Sequence, residues 1–332
     1  MKAPFPYFGG KSTVASYVWG ALGDPAHYIE PFCGSAAVLL ARPNYIGQTE
    51  SINDADGYIA NVWRALQADP DAVAKVCDWP VNHADLIARK KRLIAEGASL
   101  LERLCADDAY FDVKFAGYWI WASSCWIGSG LTRLGSSRPH ISDAGKGVHA
   151  KGQIPHIGHA GKGNPDVRDP YKTNLWEWFR QLSERLRKVR VVCGDWTRVC
   201  GGNWQDKLGV CGIFMDPPYG TAASRDAKIY HVDSQTVSAD VHAWCHERGT
   251  NPNYRIVIAG YSEEHESLLA DGWTCRKWSA GGGYGNMGGA GDGTNGKVNR
   301  HREALFFSPH CLKAGDLFGT EKLPAARMAL CR

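Results

Sequence analysis

The chain has 332 residues, 44% of them hydrophobic and 22% charged, an ordinary globular composition with room for one large domain or two smaller ones. A net charge of +4 means that any nucleic-acid contact has to come from a local basic patch, not from the total. The eleven cysteines include no C-x-x-C pair, which speaks against a zinc ribbon or a disulfide framework and for reduced thiols.

In chain order, residues 12–22 read as a helix capped by Ser12 or Thr13, with Val14, Val18 and Leu22 at helical spacing. A short strand, His27-Tyr28-Ile29-Glu30, runs into the small-residue turn Pro31-Phe32-Cys33-Gly34-Ser35, and a helix follows over 36–41. Ser51-Ile52-Asn53-Asp54 reads as the end of a second strand, and Ile59 to Leu66 starts the next helix. Strand, glycine turn, helix, strand and acid in that order open a doubly wound α/β sheet. From residue 68 to about 174 the pattern changes. Leu86–Leu104 is helical, 115–126 is aromatic, and 128–170 is dense in Gly, His, Lys and Arg with no apolar periodicity. The α/β pattern returns with a helix at Leu175–Leu186, a strand Val189–Cys193 ending at Gly194-Asp195, and a strand Gly212–Met215 ending at Asp216-Pro217-Pro218-Tyr219. A strand Arg255–Ala259, a helix Glu263–Leu269, and the segments Trp273–Trp278 and Arg302–Ser308 close the pattern, the last two as an antiparallel hairpin at the sheet edge. The expected organisation is therefore a discontinuous catalytic domain over 1–67 and 175–320, an insert over 68–174, and a tail over 321–332.

Three places carry chemistry. The turn after the first strand lets a ligand approach the backbone at a helix N-terminus. Asp54 follows at the end of the next strand, where an α/β nucleotide site puts an acid for ribose hydroxyls; a cap for the helix over Gly57–Leu66 is the plainer use of Asp54, and Asp56 is the competing acid. Asp216-Pro217-Pro218-Tyr219 is the sharpest signal. Two prolines stiffen the corner, a carboxylate and carbonyls at the strand tip can accept from an amino group, and the aromatic can stack on a base.

Tyr7-Phe8-Gly9-Gly10-Lys11, the Pro-Phe-Cys-Gly-Ser turn, Asn53-Asp54, Gly194-Asp195 and Asp-Pro-Pro-Tyr occur in this order. The arrangement resembles the Dam-like (α-class) adenine-N6 DNA methyltransferases, and the resemblance extends to the closing Arg302–Ser308. It implies a Rossmann-like methyltransferase sheet with an antiparallel edge hairpin and an inserted, mostly helical and loop, target-recognition domain. It implies S-adenosylmethionine as methyl donor and S-adenosylhomocysteine as product, with Tyr7, Lys11, Phe32, Gly34, Ser35, Asp54, Asp195, Trp196 and Asp216 around the cofactor. Asp216, Pro217, Pro218 and Tyr219 would form the catalytic pocket for an adenine flipped out of duplex DNA. Two positions depart from the family pattern: Glu30 stands for an Asp, and Ala36 for a further Gly.

Double-stranded DNA is the expected partner, with Arg133, Arg138, Lys146, Lys151 and Lys162 of the insert as its contacts. The glycine-rich 281–296 stretch reads either as a loop near the DNA or as a plain hairpin connection. No metal is expected, since His140, His149, His156 and His159 follow no ligand spacing. Cytosine-C5 chemistry is excluded by the absence of a Pro-Cys step. Cytosine-N4 methylation, an inactive DNA-binding relative and a nicotinamide oxidoreductase are the alternatives; the last lacks a G-x-G-x-x-G after the first strand. The chain has no signal pattern and no apolar run of membrane length. The expected setting is the bacterial cytoplasm at the nucleoid, with a phage or prophage origin open and no membrane partner, the protein being a monomer or homodimer.

Overall fold

Strand β1 (His27–Glu30) is buried at every residue, as befits a central parallel strand with helices on both faces. It pairs in parallel with β2 (Thr49–Asp54) on one side and β4 (Cys211–Met215) on the other, so that Ile29 stands opposite both Ser51 and Ile213. β3 (Val189–Cys193) extends the sheet beyond β2, and β5 (Tyr254–Tyr261) beyond β4. β7 (Glu303–Phe307) then enters antiparallel between β5 and β6 (Thr274–Lys277). With the short β8 (Ala329–Leu330), the order is β3-β2-β1-β4-β5-β7-β6-β8 in an eight-stranded sheet. The computed structural model describes residues 1–5, 7, 10–79, 83–125, 131–132, 175–202, 207, 209–219, 236–278, 302–313 and 329–330.

Alternation along the strands builds two cores, one per face. Tyr28, Phe214, Val257, Ala259 and Leu305 face a core shared with α1 (Ala15–Leu22), α2 (Ala37–Leu40) and α3 (Gly57–Ala68). Ile29, Ile213, Met215, Ile256, Ile258 and Phe306 face the other, with α8 (Thr197–Cys200) and α9 (Val237–Arg248). The first core continues into α4 (Pro70–Cys77), α5 (His83–Ala106), α6 (Val113–Cys125) and α7 (Leu175–Leu186). Asn61 of α3 clasps the backbone before α6: its amide donates to Asp112 O at 2.9 Å and accepts from Asp112 N at 2.8 Å. Helices α4, α5 and α6 thus rest on the same helix layer that covers the sheet. No helix among the described residues is long and apolar enough to cross a membrane.

Four expectations change. The first helix begins at Ala15, and neither Ser12 nor Thr13 caps it; residues 12–14 form a turn closed by Val14 N to Lys11 O at 3.1 Å. The helix expected over 263–269 is two 3-10 turns, Ser262–Glu264 and Glu266–Asp271, interrupted where His265 is buried against Gly260 and Phe306. Helices α4, α6, α8 and α9 were not expected. The reading of reduced thiols holds for Cys33, Cys77, Cys105, Cys193, Cys200, Cys211, Cys245 and Cys311, but Cys275 is disulfide-bonded.

Candidate active site

The carboxyl ends of β1, β2, β3 and β4 lie side by side, and each carries one of the sequence motifs. This is where an open parallel sheet forms its ligand crevice. Asn53 ties three of these ends together. Its backbone carbonyl accepts from Cys33 N at 2.9 Å, and its side-chain amide donates to Pro31 O at 2.9 Å and Gly194 O at 3.0 Å.

The turn after β1 needs left-handed backbone at two points: Gly34 has φ 45° and Ala36 has φ 48°. A Cβ at Gly34 would overlap the Tyr7 ring, so only glycine allows that close approach. Ala36 takes up the conformation for which the family uses glycine. Asp54 then fixes the turn: its Oδ2 accepts from Gly34 N and its Oδ1 from Asp56 N, each at 2.9 Å. Asp56 is the cap of α3, accepting from Tyr58 N at 2.9 Å. Burial, then repulsion from Asp56, pushes Asp54 up to about 7, and burial pushes Asp56 to about 7 as well.

Glu30 is a further acid of the site that the sequence did not single out by role. It is 3% exposed, and its Oε2 accepts from Tyr28 Oη at 2.9 Å and Leu39 N at 3.0 Å. Burial raises it to about 8, so at neutral pH it is mostly a protonated structural acid under the turn. Trp196 packs between Phe32, ring centroids 6.3 Å apart, and Trp244, at 6.1 Å. Asp195 accepts from Thr197 N at 2.9 Å, which starts α8.

Lys11 joins the N-terminal motif to the two-proline corner. Its Nζ lies 2.9 Å from Asp216 Oδ1 and 5.4 Å from the centroid of the Tyr219 ring, and the lysine is only 4% exposed. Burial raises the Asp216 carboxyl and Lys11 pulls it back down. Tyr219 in turn packs edge-on against Tyr261 at the end of β5, centroids 4.7 Å apart.

One cleft of about 890 Å³, partly open to solvent, is lined by Tyr7, Lys11, Phe32, Gly34, Ser35, Asp54, Asp195, Trp196 and Asp216, so every expected cofactor residue faces the same space. Pro218 lines it too, with Glu30 and Asp56. Pro217 and Tyr219 are not in its wall; Pro217 is buried behind it and Tyr219 stands to its side against Tyr261. Phe214 and Val237 were missed, because nothing in their residue types separates them from ordinary core; Asn53 stood in the Asn53-Asp54 motif but was given no role. Tyr261 could have been noticed as a strand-end aromatic, like Tyr219. Arg133, Arg138, Lys146, Lys151 and Lys162, the insert histidines and the 281–296 stretch lie outside the described residues.

Residues 7–109 match the family described as D12 class N6 adenine-specific DNA methyltransferase. No curated protein matches the chain. The matched segment holds the Lys11, glycine-turn and Asp54 side of the cleft; Asp216 completes it from beyond the match. Over residues 7–109 the chain is thus similar to that family, and the mixed α/β sheet that carries the match is consistent with a Rossmann-like methyltransferase fold.

Proposed function

We propose that the protein transfers a methyl group directly from S-adenosylmethionine to the exocyclic amino group of an adenine flipped out of double-stranded DNA, at specific sites. The observation that carries this reading is the Lys11–Asp216 ion pair at 2.9 Å. It brings the two-proline corner to the wall of the glycine-turn cleft, so that a methyl donor and a base amine can meet.

The residues fit the cofactor. Each Asp54 oxygen, having accepted one backbone N–H, keeps a lone pair for a ribose hydroxyl. Phe32 and Trp196 offer aromatic surface, and Asp195 a second acid. The cofactor, when bound, supplies a methyl carbon made electrophilic by its sulfonium.

Asp216 accepts from the adenine amino group through Oδ2, since Lys11 holds Oδ1. The two prolines hold the corner rigid, and Tyr219 offers its ring to the base. This localises the nitrogen lone pair and points it along the transfer axis, a gain from positioning and preorganised charge. The nitrogen would take the methyl in place of the sulfonium sulfur and become cationic, and its proton would pass to water. The described helices of 68–125 rest on the catalytic layer, and we assign the 68–174 segment to target recognition, with its basic residues on the DNA.

The test is to titrate the protein with S-adenosylmethionine by tryptophan fluorescence. It is then incubated with plasmid DNA from a methylation-deficient host and the nucleosides analysed. Saturable quenching and N6-methyladenine are expected. N4-methylcytosine, or DNA binding without cofactor binding, would overturn the reading.

A further inference from the structure

Five polar side chains, none of which lines the cleft, join α9 to the second 3-10 turn, Glu266–Asp271, in one hydrogen-bonded chain. His265 Nδ1 lies 3.0 Å from His242 Nδ1, and His242 Nε2 lies 2.8 Å from Ser267 Oγ. Ser267 Oγ lies 3.1 Å from His246 Nε2, and His246 Nδ1 bonds Asp271 Oδ2. The two ends fix where the protons sit. His265 is 0% exposed, and its Nε2 has no hydrogen-bond partner among the described residues; it lies against Gly260, where a Cβ would overlap it. An N–H placed there would be crowded and unpaired, at the full cost of its desolvation. That nitrogen is therefore the bare one, and His265 carries its proton on Nδ1 and donates to His242 Nδ1. His242 then carries its own proton on Nε2 and donates to Ser267 Oγ. At the other end the Asp271 carboxylate only accepts, so His246 carries its proton on Nδ1 and presents Nε2 bare to the serine. Burial keeps both His265, at about 3, and His242 below the ordinary imidazole range, so neither ring is cationic at neutral pH.

We propose that Ser267 is an activated nucleophile, the centre of a second site that hydrolyses small acyl esters. Its hydroxyl has one proton and two lone pairs. The proton goes to His246 and one lone pair to His242; the other is free for a substrate, because Ser267 is exposed. His246 is the base, and Asp271 holds its ring and stabilises the imidazolium that forms. The His242 N–H stabilises the charge that gathers on Oγ. Oγ attacks the ester carbonyl carbon as its proton passes to His246 Nε2, and the alcohol leaves with that proton. Water then attacks the seryl ester with His246 as base, which releases the acid and restores the serine. The His-x-x-x-His spacing on α9 would also suit a metal, yet no group of three or more ligands that could hold one occurs among the described residues. Metal on His242 Nε2 would moreover push the shared proton onto His265 Nε2, the nitrogen that lies against Gly260.

The inference stands apart from the methyl-transfer reading, and its test needs neither DNA nor S-adenosylmethionine. The full chain is treated with a fluorophosphonate, which phosphonylates activated serines, and its peptides are weighed by mass spectrometry. Hydrolysis of p-nitrophenyl acetate is followed in parallel. Label on Ser267 is expected, together with release of p-nitrophenol that Ser267→Ala removes. His246→Gln and Asp271→Asn should each slow both reactions by about a hundredfold, the scale of one general base, with melting temperatures near that of wild type. A wild-type protein that takes no label on Ser267 would overturn the inference, whatever the variants do. So would a His246→Gln variant labelled as fast as wild type, or ester hydrolysis that persists undiminished in Ser267→Ala.

Discussion

Asp54 and Asp56 divide two tasks between them. Asp56 caps α3, and Asp54 holds the glycine turn while facing the cleft. A carboxyl group accepts most strongly from a ribose hydroxyl when ionised, and burial has raised Asp54 to about 7. Affinity for S-adenosylmethionine should therefore strengthen as pH rises from 6 to 8 and weaken below, with the proton as competitor. Asp54→Asn should weaken binding by about tenfold or more, the scale of one charge-assisted hydrogen bond, and should flatten that pH dependence. Calorimetric titrations at three pH values check both. At Asp216 the expectation differs. Asp216→Asn should leave cofactor binding nearly intact and remove methyl transfer, seen as retained quenching with no labelled DNA. The sequence displayed all these acids, yet which aspartate caps and which binds depended on where β2 ends and α3 starts, a difference of two positions.

At the scale of the element, the turn between β1 and α2 holds the least ordinary backbone among the described residues. Ala36 is the single non-glycine there with positive φ, and it is fully buried. A left-handed alanine costs roughly 1–2 kcal/mol. Ala36→Gly would relieve this but give up a buried methyl of about 0.8 kcal/mol and add unfolded-state freedom, so it should be close to neutral. Ala36→Val, with its branched Cβ in a conformation such residues avoid, should lose about 2 kcal/mol or more. Thermal melts of the two variants side by side decide it. The strand and turn residues here were legible from small residues and apolar alternation. The start of the first helix, at Ala15, was not, because Ser12 and Thr13 look like caps; they lie instead in the turn between Lys11 and the helix. Nor did residue type reveal the 3-10 turns around His265, whose burial between β5 and β7 breaks the helix.

For the whole molecule, function and stability pull apart. Glu30 is held near 8 and Asp54 and Asp56 near 7, whereas in the unfolded chain all three lose their protons near pH 4. Across that window the folded state binds more protons than the unfolded one, so stability falls as pH rises toward 8. The cofactor-free protein should accordingly melt higher near pH 5–6 than at pH 8. Glu30→Gln, which keeps an acceptor for Tyr28 and Leu39 without a charge to bury, should reduce the loss at pH 8. A melting series across pH tests both.

The sequence by itself determined the order of strands, the turn of small residues, the acid at the end of the second strand and the two-proline corner. These are local signals, carried by residue type and spacing within a few positions. Only the tertiary structure decided that Lys11 closes on Asp216, that Asn53 staples three strand ends, and that Tyr261 packs on Tyr219. Those contacts link residues as many as two hundred positions apart in the chain. Their partners are set by the sheet order, which no short-range pattern encodes.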